Sequence, residues 1–378
     1  MGNEASVQQA LNRFLRPQVL DAHRQQVCRH LMNCRTSAMG GRQWQCVECD
    51  HEQVQYFSCR NRHCPQCQWR AIEAWSQQQR AHVLPVTYHH LVFTLPHQLN
   101  GWVQLHPEVI YGLLFKAVWA TLSQFGRDPK RLGGQLGMTA VLHTWGQTLN
   151  QHVHLHCLVP AGALSVDGQW QEARSTYLFP VRALSRRFRG LMVSALRKAA
   201  NQQQLHRVTR AGEVDQQLNG LMRTDWVVYS KPCLQHTGSV IDYLARYTRR
   251  IAISNARVLR VDAREVTLSY KDYRHGARHR RMILTGEEFV RRFLLHVLPK
   301  GLMRVRHYGF LANRCRQAYL AQIRRRLNSP SVAEKDNAQQ PANEPERFIC
   351  HVCHHQSMIC TGFLTQRASK PAQQGRRC

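Results

Sequence analysis

Acidic residues are scarce in this sequence. Its 378 residues include 23 Asp and Glu against 52 Lys and Arg, which gives a formal net charge of +29 and a pI near 10.4. A positive surplus of this size favours a polyanionic partner, and nucleic acid is the most economical choice. An anionic membrane surface is the alternative. The length is sufficient for one large domain or two smaller ones with a buried core.

Long apolar runs and an export signal are also missing. No continuous apolar segment approaches the roughly eighteen residues of a membrane-spanning helix, and the N-terminus has no continuous apolar signal core. We therefore expect a soluble cytoplasmic protein. The 14 cysteines would suit disulfides in an exported protein, but several stand in CxxC pairs, and metal binding is the better interpretation.

The stretch from Pro129 to Val166 contains neither Asp nor Glu, so an all-carboxylate metal site is not centred there. Within this stretch His152, His154 and His156 alternate with apolar residues, the period-two pattern of a strand with one polar face. Three imidazoles would project from one side, where neighbouring rings can reach one metal ion. A half-exposed strand that happens to carry histidines is the alternative.

Two CxxC pairs lie near the N-terminus. Cys46-x-x-Cys49 and Cys64-x-x-Cys67 enclose 14 residues, and two such turns predict one closed tetrahedral zinc site. Further donors in the same region leave open a second ion or an exchange of ligands in the first. These donors are Cys28, His30, Cys34, Cys59 and His63.

Tyr243 and Tyr247 are four residues apart in a segment predicted to be helical, so their side chains would share one face. A tyrosine can act as a covalent nucleophile, and a nearby metal that polarises a phosphate would assist it. Arg246, Arg249 and Arg250 offer phosphate contacts beside the pair. Packing in a core or groove is the alternative role of the tyrosines.

The remaining patterns predict a mixed α+β fold. Strands are predicted over 88–95, 135–143, 152–159, 225–229, 256–261, 264–270 and 280–285, and helices over 103–125, 182–204, 239–250, 286–297 and 311–326. Residues 213–223 are polar and expected to be irregular, and Pro232 is expected to stop the strand before it. After Asn328 the sequence becomes low in complexity, as in a linker.

Seven segments carry a specific family likeness. They are His143–Leu149, His152–Pro160, Tyr243–Asn255, Ser58–Cys67, Val92–Pro96, Arg223–Tyr229 and Phe293–Gly301. In these segments the chain resembles the rolling-circle transposases of the HUH superfamily, in particular the two-tyrosine insertion-sequence kind (IS91 type). The likeness runs from about residue 10 to residue 326.

This resemblance implies an HUH-type antiparallel sheet flanked by helices. It implies a zinc-binding domain over 1–82 with a structural Zn²⁺ and a catalytic transposase domain over 83–327, whereas the low complexity after Asn328 predicts a disordered, flexible tail over 328–378. It also implies a bacterial cytoplasmic protein associated with the nucleoid. The tail contains Cys350-x-x-Cys353, which with His354, His355 and Cys360 is a candidate second zinc knuckle.

The resemblance also implies a mechanism. His154 and His156 would hold a divalent ion, Mg²⁺ or Mn²⁺, and His152, His143 and Gln147 are the candidates for a third ligand. Tyr243 and Tyr247 would be the nucleophiles that cleave and rejoin single-stranded DNA at the ends of an insertion sequence and in target DNA, through a 5′-phosphotyrosine intermediate. Basic segments at 182–198, 246–250, 274–281 and 314–326 are expected to follow the DNA backbone.

Three other functions compete with this interpretation. A zinc hydrolase using the three alternating histidines is disfavoured, because the sequence after His156, beginning Cys157-Leu158, lacks the Asp and His that end the common hydrolytic pattern. A transposase of the three-carboxylate type is disfavoured by the acid-free stretch. A non-catalytic zinc-containing protein that binds nucleic acid, with the tyrosines merely packing, remains an alternative.

Overall fold

The structure is a computed structural model that describes residues 5–67, 82–173, 178–208, 212–234, 251–328 and 348–365. Its strands are β1 Gly41–Cys46, β2 Glu52–Tyr56, β3 Tyr88–Thr94, β4 Gly137–Trp145, β5 Gln151–Pro160, β6 Gly162–Leu164, β7 Trp170–Glu172, β8 Val228–Leu234, β9 Val258–Val261, β10 Glu265–Asp272, β11 Arg278–Thr285, β12 Val305–Gly309 and β13 Met358–Leu364. Its α-helices are α1 Val7–Phe14, α2 Ala22–Asn33, α3 Asn100–Leu105, α4 Pro107–Arg127, α5 Val181–Asn201, α6 Glu213–Arg223, α7 Gly286–Leu294 and α8 Arg316–Arg326.

A five-stranded antiparallel sheet in the order β12-β4-β5-β3-β8 forms the centre of the molecule. Helices α3 to α6 pack against one face of this sheet and share its main hydrophobic core. Phe188 of α5 joins the two layers, because its ring meets Phe93 of β3 and Trp226, each edge-on at 5.2 Å between centroids. The antiparallel α+β architecture predicted from the sequence is confirmed.

Helix α4 is the most apolar helix of the described chain. By length and composition it could cross a membrane, a property that the sequence analysis did not expect because Lys116 interrupts the apolar run. Half of its most apolar window is nevertheless buried inside the fold, on residues such as Leu114, Phe115 and Val118. A core helix passes the same test, so the finding is weak support for a membrane segment.

A second layer brings the N-terminal helices onto a three-stranded sheet in the order β11-β10-β9. Helix α1 begins at a Ser6 cap, whose hydroxyl accepts a hydrogen bond from the Gln9 amide at 3.1 Å. The apolar face of α1 packs with α7 and with Val258, Val266 and Leu268 in one core. The zinc-binding region is therefore joined to the rest of the protein by a hydrophobic interface.

A third sheet is assembled from both ends of the chain. Strand β1 pairs with β2 on one side and with β13 on the other, both antiparallel. The segment from Phe348 to Thr365 falls within the predicted tail, and it contributes the outer strand of this sheet. This part of the tail is thus a structural component of the N-terminal region.

Two sequence-based expectations were wrong in this part of the fold. Residues 213–223 form helix α6, because the buried Leu218 and Leu221 give it one apolar side that the surrounding polar residues mask in the sequence. Pro232 does not end a strand but lies inside β8. Since β8 is at the edge of its sheet, a residue without an amide hydrogen is tolerated there, beside a register irregularity opposite Tyr88 and His89.

Candidate metal centres and active site

One face of the central sheet is polar around β5. Val153, Leu155 and Cys157 are fully buried in the main core, whereas His154 and His156 lie on the opposite face and are only partly buried. The alternation predicted from the sequence is confirmed. Because β4 and β3 flank β5 on its two sides, their residues on this face lie next to the same histidines.

Three histidines on this face bring ligand nitrogens within 4.8 Å of one another, and we call His143, His154 and His156 the histidine cluster. His143 of β4 lies directly opposite His154 of β5 in the strand register, and its ring centroid is 4.4 Å from that of His156. The ring of His143 is almost fully buried and stacks on Trp145 at 4.6 Å. The cluster therefore has one deeply buried imidazole and two on the open face.

The structure distinguishes between the three candidates for a third ligand. His143 joins the pair, whereas His152 is exposed and Gln147 is engaged elsewhere, its side-chain oxygen accepting a hydrogen bond from the Lys271 amide at 3.3 Å. His152 still contributes through its backbone, because its carbonyl oxygen accepts a hydrogen bond from His154 Nδ1 at 2.8 Å. That contact leaves the other nitrogen of His154, Nε2, as the one that could bind a metal ion.

His90 of β3 is a functional candidate that the sequence analysis missed. Its Nε2 lies 2.8 Å from Nδ1 of His156, and the two rings are nearly parallel. Burial lowers the pKa of His90 to about 4, and desolvation likewise lowers the pKa of His154 to about 4. Both rings are neutral at pH 7, the form in which an imidazole binds a metal or accepts a hydrogen bond. The signal was present as two adjacent histidines, His89 and His90, in a mostly buried strand that pairs with β5.

The turn between β4 and β5 is held by a buried histidine. His296 Nε2 donates to the carbonyl oxygen of Leu149 at 3.0 Å, and its Nδ1 lies 3.2 Å from the Thr144 hydroxyl. Leu149 has a positive φ of 59°, a conformation that residues other than glycine adopt infrequently. Burial lowers the pKa of His296 to about 4, so the bridge is made by a neutral ring. This turn directly follows β4, the strand that carries His143.

Two arginines hold the same turn from the second layer. Arg257 donates to the carbonyl oxygen of Gln147, and Arg292 donates to that of Thr148 at 2.9 Å. These hydrogen bonds join the β4–β5 turn to the region of β9 and to α7. The β4–β5 turn is thus held by charged donors to its main-chain oxygens.

Four cysteine sulfurs meet in a cluster that closes within the N-terminal region, and we call Cys34, Cys59, Cys64 and Cys67 the inner thiol cluster. The Cys34 and Cys59 sulfurs lie 3.5 and 3.6 Å from that of Cys67. Hydrogen bonds from the three neighbouring thiols hold the pKa of Cys67 well below its usual value. Four sulfurs in this arrangement are the donor set of a closed structural zinc site.

The predicted single zinc site built from both CxxC pairs is not what the structure brings together. Cys64 and Cys67 belong to the inner thiol cluster, whereas Cys46 and Cys49 meet Cys350 and Cys353 from the C-terminal segment. We call this second group the outer thiol cluster. The separation arises because Cys46 ends β1 and Cys49 lies in the turn that follows it, while Cys64 and Cys67 pack beside α2. The sequence left open an exchange of ligands in the first site. In the structure Cys34 and Cys59 take the places predicted for Cys46 and Cys49.

The other predicted donors have different environments. Cys28 is buried, which raises the pKa of its thiol to about 11, and it lies outside the three groups found among the described residues. His63 accepts a hydrogen bond at Nε2 from the Leu298 amide at 3.1 Å, and burial lowers the pKa of His63 to about 3. His30 lies 3.5 Å from the Asn61 amide. In the tail, His354, His355 and Cys360 are also outside the thiol groups of the described chain.

The predicted nucleophiles and their arginines lie outside the described residues. These are Tyr243, Tyr247, Arg246, Arg249 and Arg250. The description resumes at Ile251, which with Ala252 lines a small cavity shared with Trp145. Trp145 in turn stacks on His143. The described segment therefore resumes at a cavity that is also lined by a ring neighbour of the histidine cluster.

Comparisons with known proteins match two regions of the chain to described families. The family described as "Transposase zinc-binding domain" matches residues 6–95, and the family described as "Putative transposase" matches residues 137–318. The chain is 42% identical over 342 residues to the "Putative transposase y4qJ" of Sinorhizobium fredii, covering 86% of each protein. The chain belongs to the IS91-type transposases. It is also 26% identical over 308 residues to the transposase for insertion sequence element IS801 of Pseudomonas savastanoi pv. phaseolicola, covering 78% of this chain and 71% of that relative.

Family membership indicates the class of enzyme and the roles of its two matched regions. It implies a DNA-cleaving and strand-transferring enzyme that acts on DNA, consistent with the net charge of +29. The match over residues 6–95 contains all four members of the inner thiol cluster, which therefore fits the structural zinc of that domain. The match over 137–318 contains the whole histidine cluster.

Proposed function

We propose that the transposase cleaves and rejoins single-stranded DNA at the ends of its insertion sequence by metal-assisted tyrosine attack, as in rolling-circle transposition. The observation that carries this proposal is the histidine cluster, three imidazole ligands on an open sheet face inside the family-matched region. A site with three protein ligands leaves coordination positions for substrate oxygens, which a structural site does not. The absence of Asp and Glu from Pro129 to Val166 makes these imidazoles the principal donors.

The residues of the cluster fit a divalent cation. His143, His154 and His156 would hold Mg²⁺ or Mn²⁺, and imidazole donors favour Mn²⁺ because Mg²⁺ prefers oxygen ligands. When bound, such an ion would act as a Lewis acid on the scissile phosphate. The contact from His154 to the His152 carbonyl and the contact between His156 and His90 orient two of the three rings.

The covalent step is assigned to Tyr243 and Tyr247. The phenolic oxygen of one tyrosine attacks the phosphorus, a bond from phosphorus to the tyrosine oxygen forms, and the bond to the 3′ oxygen breaks. The proton lost by the phenol is balanced by the proton gained by the released 3′-hydroxyl. The product is a 5′-phosphotyrosine that keeps the phosphodiester energy, so a 3′-hydroxyl can reverse the step without ATP. The second tyrosine provides a second transfer without release of the DNA.

Contacts made by the described residues before and after the tyrosine segment support this assignment. Strand β8, which precedes it, pairs with β3 beside the histidine face, and Tyr229 of β8 faces His90 at 6.5 Å between ring centroids. Ala252, which follows it, accepts a hydrogen bond from Arg257, the residue that also holds the β4–β5 turn. We assign Arg246, Arg249 and Arg250 to the DNA phosphates.

Single-stranded DNA is the substrate form that fits this surface. Tyr229 is half exposed on the histidine face, and Tyr273 of the β10–β11 hairpin is 65% exposed beside Lys271. Exposed aromatic rings among basic residues stack on unpaired bases while the charges follow the backbone. Double-stranded DNA would hide those base faces.

The test is a search for the covalent adduct. The transposase is incubated with Mn²⁺ and labelled single-stranded oligonucleotides from the ends of the element that encodes it. The label should stay on the protein under denaturing conditions, and the double variant Tyr243→Phe, Tyr247→Phe should lose it. Tyr229→Phe is the matched control, because it removes one phenol from the same face and should keep the adduct. An adduct that survives in the double variant would refute the assignment, and DNA binding without any adduct would favour a non-catalytic zinc-containing DNA-binding protein.

A further inference from the structure

The outer thiol cluster joins residues that are more than 300 positions apart in the sequence. Cys46 and Cys49 come from the end of β1 and the turn that follows it, and Cys350 and Cys353 come from the segment just before β13. We propose that these four cysteines bind a second structural zinc ion, which fastens the C-terminal segment to the N-terminal domain.

The two CxxC turns of this cluster have the same backbone conformation. The Cys46 amide donates to the His51 carbonyl at 2.9 Å, and the Asp50 amide donates to the Cys46 carbonyl at 3.1 Å. In the second turn the Cys350 amide donates to the carbonyl five residues later at 2.8 Å, and the amide four residues after Cys350 donates back to its carbonyl at 2.8 Å. Such a repeat is the pattern of paired zinc knuckles, in which each turn presents two thiolates to one ion.

A residue with a left-handed backbone follows the second cysteine of each turn. Asp50 has a φ of 53°, and His354 has a φ of 61°. Residues other than glycine adopt this conformation infrequently, so its occurrence at the same place in both turns requires a common cause. The conformation reverses the chain immediately after the cysteine and directs both sulfurs of a turn to the same side. One metal ion bound by both CxxC turns would account for their matching backbone conformations.

The sulfur separations fit a tetrahedral ion and exclude a disulfide. The sulfurs of Cys46 and Cys353 are 3.5 Å apart, and those of Cys49 and Cys350 are 3.7 Å apart. With a zinc–sulfur bond of about 2.3 Å, the sulfurs of a tetrahedral site lie about 3.8 Å from one another. A disulfide requires about 2.05 Å. Both cross-turn pairs therefore have the spacing of thiolates that share one zinc.

This site is separate from the zinc that the family implies. The matched zinc-binding domain spans residues 6–95 and contains the complete inner thiol cluster. Within the same span Cys46 and Cys49 supply only two thiolates to the outer cluster, and the missing pair lies beyond the matched region. The outer site is complete only when the C-terminal segment is in place.

A metal also explains how this small sheet is stable. The buried hydrophobic cluster between β1 and the C-terminal segment consists of Trp44, Cys46, Cys350 and Met358, with Cys353 packed against it. The ring of Trp44 meets Phe348 edge-on at 4.7 Å between centroids. Two of the four buried members are proposed ligands, so little apolar surface remains to hold β13 in place. Small units of this kind commonly rely on a structural metal.

The test counts zinc in the purified full-length transposase and in three variants. The histidine cluster is first removed by His154→Ala and His156→Ala in every sample, so that zinc bound there is not counted. The parent should then carry two zinc equivalents per chain by elemental analysis. The pair Cys46→Ser, Cys49→Ser, the pair Cys350→Ser, Cys353→Ser and the combined fourfold variant should each carry one. Cys360→Ser, an exposed cysteine of β13 outside the cluster, should keep two.

The fourfold variant distinguishes a shared site from two independent ones. If the two CxxC pairs bound separate ions, the losses would add and the fourfold variant would lose both zinc ions of those pairs. Cobalt substitution gives a second readout, because sulfur-to-cobalt charge-transfer absorption arises from thiolate sites and should fall by half in each variant. If a variant fails to fold, cadmium-113 NMR of the unmodified protein should show two four-sulfur resonances. A single four-sulfur resonance, or one zinc equivalent in the parent, would overturn the proposal.

Discussion

The thiol clusters and the histidine cluster have opposite designs. Each thiol cluster gathers four sulfurs, enough to saturate a tetrahedral ion, and the inner one packs against apolar side chains such as Val27 and Leu31. The histidine cluster gathers three nitrogens on the open face of a sheet. A closed site holds the chain together, whereas a site with remaining coordination positions can bind a reacting group.

The two kinds of cluster also differ in what orients their side chains. In the outer thiol cluster the backbone itself is shaped around the sulfurs by two repeated turns. In the histidine cluster the rings stand on paired strands, with a register irregularity after His143, and orientation comes from side-chain and carbonyl contacts such as those of His90 and the His152 carbonyl. We infer that metal removal should unfold the first kind of region and leave the second folded but inactive.

Loss of a histidine ligand should produce the largest effect. In His154→Ala we expect the rate of adduct formation with Mn²⁺ to fall by roughly 10³-fold or more, because several kcal/mol of Lewis-acid stabilisation are lost. Single-turnover kinetics with a labelled oligonucleotide measure this change. Thiol-bound zinc and the melting temperature should stay at the parent values. A variant that also loses thiol-bound zinc would break the distinction between the two kinds of site.

Acid should weaken the turn that supports the histidine cluster. Burial holds the pKa of His296 at about 4 in the folded state, below the usual value near 6.5. Above pH 6.5 the ring is neutral in both states, so it makes no pH-dependent contribution there. Between pH 6.5 and 4 the unfolded chain binds the extra proton, and about 3 kcal/mol of stability is lost as the pH falls.

This pH effect can be isolated by comparing the parent with His296→Gln. Urea unfolding of both proteins at pH 7 and pH 4.5 gives two pH-dependent losses of unfolding free energy. Their difference cancels the contribution from acid release of thiol-bound metal. We expect the parent to lose more stability than the variant. Equal losses would show that His296 titrates normally and that the turn is held by Arg257 and Arg292 alone.

The periodic features of this protein were predictable from its sequence. The alternation around His154 placed β5 correctly, because a strand with one buried face has a strict period of two. The apolar segment around Leu114 likewise predicted helix α4. Helix α6 was missed, because only Leu218 and Leu221 are fully buried and the polar residues around them hide the helical period.

The ligand sets were only partly predictable, because their members come together through long-range topology. His143 joins His154 because β4 and β5 are antiparallel neighbours in a particular register, which a list of histidines does not specify. Cys46 finds its partners more than 300 residues away through the pairing of β1 with β13. Spacing alone favoured the nearer CxxC pair. Proximity in sequence was therefore the wrong guide to the partners of Cys46 and Cys49.

A variant of His90 tests whether side-chain contacts orient the rings of the histidine face. In His90→Ala we expect the affinity for Mn²⁺ to fall by about 10- to 100-fold, the usual cost of losing a partner that orients a ligand. His90→Gln keeps an acceptor near His156 and should recover part of the affinity. Isothermal titration with Mn²⁺ measures both. An unchanged affinity in His90→Ala would mean that the strand alone orients His156.

The smallest expected effect concerns which of the two regions contacts DNA. Tyr229, half exposed beside the histidine cluster, should stack on a base, so Tyr229→Ala should weaken single-stranded DNA binding by about 1 kcal/mol, or roughly fivefold. Tyr229→Phe keeps the ring and should bind normally. Phe363 of β13 is more exposed and lies near Arg42, but it belongs to the zinc-bearing sheet, so Phe363→Ala should leave affinity unchanged. Fluorescence anisotropy with a labelled oligonucleotide measures all three variants. Equal losses for Tyr229→Ala and Phe363→Ala would mean that the thiol-stabilised sheet is itself a DNA-binding surface, and that the two regions share one task.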